Sequence, residues 1–131
     1  MDGSDLTAAV VLARRVVGSP ADGLPAEAVV VRRLDRDAEY VLVSLGRPGE
    51  PGWVAAVDPA AADVMSWAAN PSGSTVPSRP AGLTGDATLV WRPSMHSRSP
   101  LYPLLRVAGP DGEVFVDLDG RTHSSLGDSR G

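Results

Sequence analysis

The chain has 131 residues, a formal net charge of −4 and no cysteine, and all 12 of its basic side chains are arginine. A chain of this length buries roughly two-thirds of the surface it exposes when unfolded, so a single core can sustain itself without staples. The missing thiols exclude disulfides, thiolate metal sites and cysteine nucleophiles, and the acidic balance sets the overall field against nucleic acid and anionic membranes.

Lysine, isoleucine and glutamine are absent, while Ala, Gly, Pro, Arg and Val are abundant. Residue types with GC-rich codons dominate, so the arginine preference reflects a high-GC genome of actinobacterial type and not selection for phosphate. The opening Met1-Asp2-Gly3-Ser4-Asp5 is acidic and polar, unlike a secretory signal, and the apolar stretch from Leu6 to Val17 is short and contains Arg14 and Arg15. These features predict a cytoplasmic protein with no membrane partner.

In chain order, the first element reads as an amphipathic helix. Ser4 is placed to cap it, Leu6, Ala9, Val10, Ala13, Val16 and Val17 form its apolar stripe, and Gly18 closes it. After a Gly/Pro loop over 19–25, strands are expected at Ala28 to Leu34, Tyr40 to Leu45 and Trp53 to Val57. The middle one is apolar at nearly every position, as for a central strand covered by the helix on one face and partly shielded on the other. Asp58-Pro59 then looks like an N-cap and first helical residue, Ala60 to Ala69 like a second short helix with Ala61, Val64, Met65 and Ala68 as its stripe, and Asn70-Pro71 like its stop.

Residues 70–86 change to Pro, Gly, Ser and Thr and read as a flexible internal loop. Further strands are expected at Ala87 to Arg92, Leu101 to Ala108, Glu113 to Leu118 and Arg121 to Leu126, with a disordered tail over 127–131. The predicted fold is a single α+β domain over 1–126, an antiparallel meander of six to seven strands packed by two helices. Tyr40 to Asp58 and Tyr102 to Asp117 each read as a hairpin ending in an acidic residue, which allows two ordinary hairpins or a pseudo-repeat.

The order of helix, long hairpin and a valine-aspartate pair before a turn (Val57-Asp58, Val116-Asp117) resembles the PepSY-like and cystatin-like α+β group. The resemblance covers Asp5 to Ala69 and, more loosely, Tyr102 to Leu126. It implies a helix lying across an antiparallel meander, and a non-enzymatic binding module.

Chemistry-bearing residues are sparse. His96 sits among Ser94, Ser97 and Ser99 and is a weak candidate general base, without a nucleophile elbow and as readily a solvated loop histidine. His96 and His123 could join Asp117 or Asp119 around zinc or iron, but no metal-type spacing supports that, and Asp117-Leu118-Asp119-Gly120 reads more simply as a hairpin turn than as a calcium loop. No cofactor motif is present. Trp91 to Tyr102 stands out, placing Arg92, His96, Arg98 and then Arg106 among Trp91, Met95, Leu101 and Tyr102, the composition of interface cores and anion-recognising pockets; a solvated loop with anchoring aromatics has the same composition. Three functions follow: a non-catalytic domain presenting Trp91, Arg92, His96, Arg98, Tyr102 and Arg106 to a protein partner; a small enzyme or ligand-binding protein using His96 with Arg92 or Arg98; or an inhibitor or immunity-type protein. An open sheet edge would leave the chain a monomer or a homodimer.

Overall fold

The structure is a computed structural model that describes residues 3–35, 37–47, 49–70, 77, 85–92, 99–109, 112–118 and 120–123. The predicted loop over 70–86 and the predicted tail over 127–131 therefore lie largely or wholly outside the described residues, as do His96, Arg98 and Asp119. The class is α+β: the described residues form one α-helix, α1 (Gly3–Val17), and eight strands, β1 (Ala26–Arg33), β2 (Glu39–Leu45), β3 (Gly52–Asp58), β4 (Asp63–Asn70), β5 (Ala87–Trp91), β6 (Leu104–Gly109), β7 (Gly112–Val116) and β8 (Thr122–His123). The pairs β2–β3, β3–β4, β5–β6, β6–β7 and β7–β8 are antiparallel, whereas β1 and β5 run parallel. Among the described residues no helix is long and apolar enough to cross a membrane.

The chain forms two compact units, the first from residues 1–30 and 39–75, the second from 31–38 and 76–131. In the first, α1 packs on β2, β3 and β4. Ala9 and Ala13 are fully buried against Val41, Val43, Leu45, Ala55 and Val57. Their small side chains let the helix backbone approach the sheet closely, and a bulkier residue at either would cost about 1–3 kcal/mol by overpacking. Ser4 lies inside the helix rather than capping it. Gly18 ends the helix as expected, with φ of 82°, a left-handed conformation that costs glycine little. Arg14 has a more specific task than balancing the helix dipole: its Nη1 donates to the Ala21 carbonyl at 3.1 Å and its Nη2 to that of Leu24 at 2.8 Å, tying the following loop to the helix end.

Tyr40, Leu42, Val54 and Ala56, on the face of β2 and β3 turned away from α1, are also buried. The near-continuous apolar run of β2 thus marks a strand shielded on both sides. At the base of its hairpin with β3, a Cβ on Gly52 would meet the Leu45 carbonyl oxygen at 2.2 Å, so only glycine fits there.

The second predicted helix is not formed, and its residues build β4 instead. The start signal is real but brief. Asp58 Oδ1 accepts the amides of Ala60 and Ala61 at 3.1 and 3.3 Å, the Ala62 amide donates to the Pro59 carbonyl at 3.3 Å, and Ala62 then enters the left-handed region at φ 52°. One helix-like turn is capped and reversed, and β4 pairs back on β3 from Asp58↔Asp63 to Gly52↔Asn70. A register shift at Ala56/Val57 leaves Met65 as an extra residue, so Val64 opposite Val57 and Trp67 opposite Ala55 both face α1. Of the residues read as a helical stripe, Val64 faces α1, whereas Ala68, opposite Val54, lies on the other face.

In the second unit, the C-terminal end of β1 pairs with β5 through Arg32↔Val90 and Arg33↔Trp91, and β5 to β8 follow in order. Leu105, Val107 and Val116 form its core cluster with Ala87, Leu89 and Val114 packed against them. The predicted strand from Leu101 starts only at Leu104, because residues 99–102 form a turn; of the last predicted strand, the described part is Thr122–His123, and 124–126 lie outside the described residues. Both hairpins of the internal echo form, which two unrelated hairpins would also do.

Two substitutions check this account by urea unfolding. Ala62→Gly relieves the left-handed alanine and is expected to stabilise by up to about 1 kcal/mol, whereas Ala62→Val should destabilise by about 1–2 kcal/mol. Arg14→Met, which keeps the aliphatic stem but leaves two carbonyls without a charged donor, should cost about 1–3 kcal/mol, and Arg14→Lys should not recover it because one ammonium lacks the fork geometry.

Candidate functional site

The residues singled out between Trp91 and Arg106 have different fates. Trp91 is 4% exposed at the end of β5. The Arg33 guanidinium lies 5.2 Å from its ring centroid and is itself clamped by Asp35, Nε to Oδ1 at 3.0 Å and Nη2 to Oδ2 at 2.8 Å. The Trp91 carbonyl accepts the Leu34 amide at 2.9 Å. This tryptophan is a packing residue stacked under a bidentate ion pair, and Arg33 and Asp35 are the partners that sequence reading missed. Arg92 is half-buried.

Tyr102 is 40% exposed, and the turn that carries it is ordered by Ser99, whose Oγ accepts the Leu101 amide at 3.2 Å and whose carbonyl accepts the Tyr102 amide at 3.1 Å. Leu101 before it and Pro103 after it are buried. An aromatic ring held out between two buried anchors has little conformational freedom left to lose on contact.

Arg106 lies in a row that spacing along the chain does not reveal. The registers Thr88↔Arg106, Arg106↔Phe115 and Phe115↔His123 set four side chains side by side on one face of β5, β6, β7 and β8, neighbours about 4.5–5.5 Å apart at Cβ. The core residues Leu105, Val107 and Val116 occupy the other face. Thr88 is exposed, and Arg106, Phe115 and His123 are half-buried. Arg106 Nε approaches Glu113 Oε1 only to 3.8 Å, too far for a hydrogen bond, with side-chain exposures of 30% and 61%.

At the far end of the row, His123 Nε2 lies 2.9 Å from Asp117 Oδ2, which requires the imidazole to carry hydrogen on Nε2. The other oxygen of Asp117 accepts the Arg121 amide at 2.9 Å, the Asp117 amide donates to the Arg121 carbonyl at 2.9 Å, and the Gly120 amide donates to the Asp117 carbonyl at 3.0 Å. Asp117 therefore ties the β7–β8 turn and holds the His123 imidazole. The hairpin reading of residues 117–120 holds, and among the described residues no group of three His, Asp or Glu side chains could hold a metal ion.

Chemically, the row offers a hydroxyl, a guanidinium with loosely engaged donors, an aromatic platform and an oriented imidazole. That set suits a carboxylate joined to an apolar body. In comparisons with family models, with curated proteins and with solved structures, nothing matches the chain.

The brace at Asp117 is testable by urea unfolding and by the imidazole NMR signals of His123. Asp117→Ala should cost about 1–3 kcal/mol and alter those signals, because it removes the acceptor of a backbone amide and of the imidazole together. Asp117→Asn, which keeps a carbonyl oxygen for the Arg121 amide, should cost less than half as much.

Proposed function

We propose that the protein is a non-catalytic binding or regulatory domain, and that its recognition elements are the Arg106–Phe115–His123 row with Thr88, together with the exposed ring of Tyr102. The observation that carries this reading is the register of the row, which gathers cationic, aromatic and hydrogen-bonding side chains on one half-exposed sheet face. Arginine and tyrosine are the residue types on which protein interfaces concentrate their binding energy. A half-buried arginine that, among the described residues, meets a carboxylate at 3.8 Å can exchange it for a better-placed one on a partner. The favoured partner is a protein presenting Asp or Glu beside an apolar side chain.

The arrangement of α1 across the β2–β3–β4 meander is of the kind that the PepSY-like and cystatin-like resemblance implies, and it supports the same class, a binding module without chemistry of its own. The ligand-pocket alternative depends on His96 and Arg98, which lie outside the described residues, so no distance favours it.

Affinity capture from a high-GC actinobacterial lysate tests the proposal. The wild-type chain should retain a stoichiometric protein that Arg106→Ala and Tyr102→Ala each release, with affinity reduced at least about tenfold. Val11→Ser, a change at an exposed position on α1, should leave capture intact. Equal capture by all four proteins would defeat the assignment of this face.

A further inference from the structure

We infer that the chain forms a two-fold symmetric homodimer by antiparallel pairing of β4 with β4 of a second copy, centred on Trp67. The inference does not depend on the function proposed above, since it concerns the first unit alone.

Strand β4 runs for eight residues and, among the described strands, pairs only with β3. The backbone groups along its outer side are therefore a template for one more strand. Protein edges of this length normally carry a deterrent, such as a lysine, an inward charge or a proline. From Val64 to Asn70 there is neither charge nor proline, and the bulge at Met65 falls near one end. Trp67, the largest side chain of the strand, is 42% exposed although it faces α1 and lies 5.9 Å from Trp53 between ring centroids. An uncharged edge with a half-exposed tryptophan at its middle has the makeup of an interface core.

Self-complementarity selects a second copy as the occupant. A two-fold axis normal to the sheet at Trp67 keeps α1 of both copies on one side and sets Trp67 opposite Trp67, Ser66 opposite Ala68, Met65 opposite Ala69 and Val64 opposite Asn70. Every polar or apolar side chain in that register meets an uncharged one. The two Asp63 carboxylates fall eight strand positions apart, about 26 Å, beyond the roughly 8 Å over which charges act at physiological ionic strength. The tryptophans, by contrast, come to the close spacing of directly opposed residues, where aromatic pairs reinforce a sheet. Such an isologous contact closes on itself, leaving no β4 edge for further copies. An interface of one strand and one ring pair belongs with the small, transient contacts, whose association is read over micromolar to millimolar concentrations.

Sedimentation velocity across that concentration range tests the inference on the whole chain. The wild type should pass from monomer to dimer, and its association should strengthen with added salt, because an uncharged contact joins two copies of net charge −4. Trp67→Lys and Trp67→Glu should each raise the dissociation constant at least tenfold, and an equimolar mixture of the two should recover a dimer through opposite charges at the axis. Should either variant fail to fold, hydrogen exchange of the wild type gives the same answer without mutation: amides of Ser66 to Ala68 should exchange more slowly as concentration rises. A wild type monomeric throughout, an association that weakens with salt, undiminished dimers of both variants, or exchange independent of concentration would overturn the inference. The first of these would leave the edge to a strand from another protein.

Discussion

The pairing of β4 with β3 is the interaction on which the first unit depends. A strictly alternating strand would turn Val64 and Trp67 to opposite faces, because side chains along a strand change sides at every residue. The extra residue at Met65 moves both to the side of α1 and thereby extends the apolar surface on which the helix rests. The small side chains of Ala9 and Ala13 then set how near the helix comes, and the loop after it is secured by the two carbonyl contacts of Arg14. The same pairing puts β4 at the rim with Trp67 only partly covered. Core and exposed edge are thus consequences of one register.

In the second unit, register also divides labour between faces. Odd positions of β6 and even positions of β7 supply Leu105, Val107, Val114 and Val116 to the apolar side, while Arg106 and Phe115 stand on the other. Slipping the β6–β7 pairing by one residue would bury a guanidinium and expose two fully buried valines, an exchange costing several kcal/mol. The core therefore fixes the row of Thr88, Arg106, Phe115 and His123, and the row's order cannot vary independently of the packing behind it. The clamp at Asp117 serves both ends of this arrangement, closing the turn and holding the imidazole.

Much of this was legible in the sequence, and what was not has identifiable causes. The helix over Leu6 to Val17 and the strands around Val43, Ala55 and Val114 follow from periodicity, since their burial is set by their own side chains. Asp58-Pro59 does cap a turn, but the second helix expected to follow it over Ala60 to Ala69 does not form. What the sequence could not state is that Ala62 reverses the chain after one turn: its left-handed φ is imposed by the ladder that β4 gains on β3, and tertiary pairing outweighs the helix propensity of Ala60 to Ala69. Arg106 was singled out by the composition around it, whereas its alignment with Phe115 and His123 depends on strand registers that involve residues far apart in sequence. The packing of Trp91 under Arg33 was illegible for the same reason, because Arg33 meets it through a parallel pairing across 58 positions.

The arginines make the distinction between structure and recognition concrete. With lysine absent, arginine is the cation of this chain wherever one is needed, so their number says nothing about role. Their hydrogen-bond geometry does. Arg14 donates to two backbone carbonyls, and Arg33 is held in a bidentate carboxylate clamp above a buried ring; removing either strips the fold of partners already in place. Arg106 sits beside a half-buried aromatic ring on the sheet, yet among the described residues the carboxylate it approaches is at 3.8 Å on a largely exposed glutamate. A guanidinium prepared by its neighbours and loosely engaged loses little when a better-placed anion arrives, because side-chain order has been established by the sheet and the ion pair given up is a weak, screened one. That asymmetry, more than the mere presence of arginine, is what favours the face of β6 and β7 for the proposed binding role.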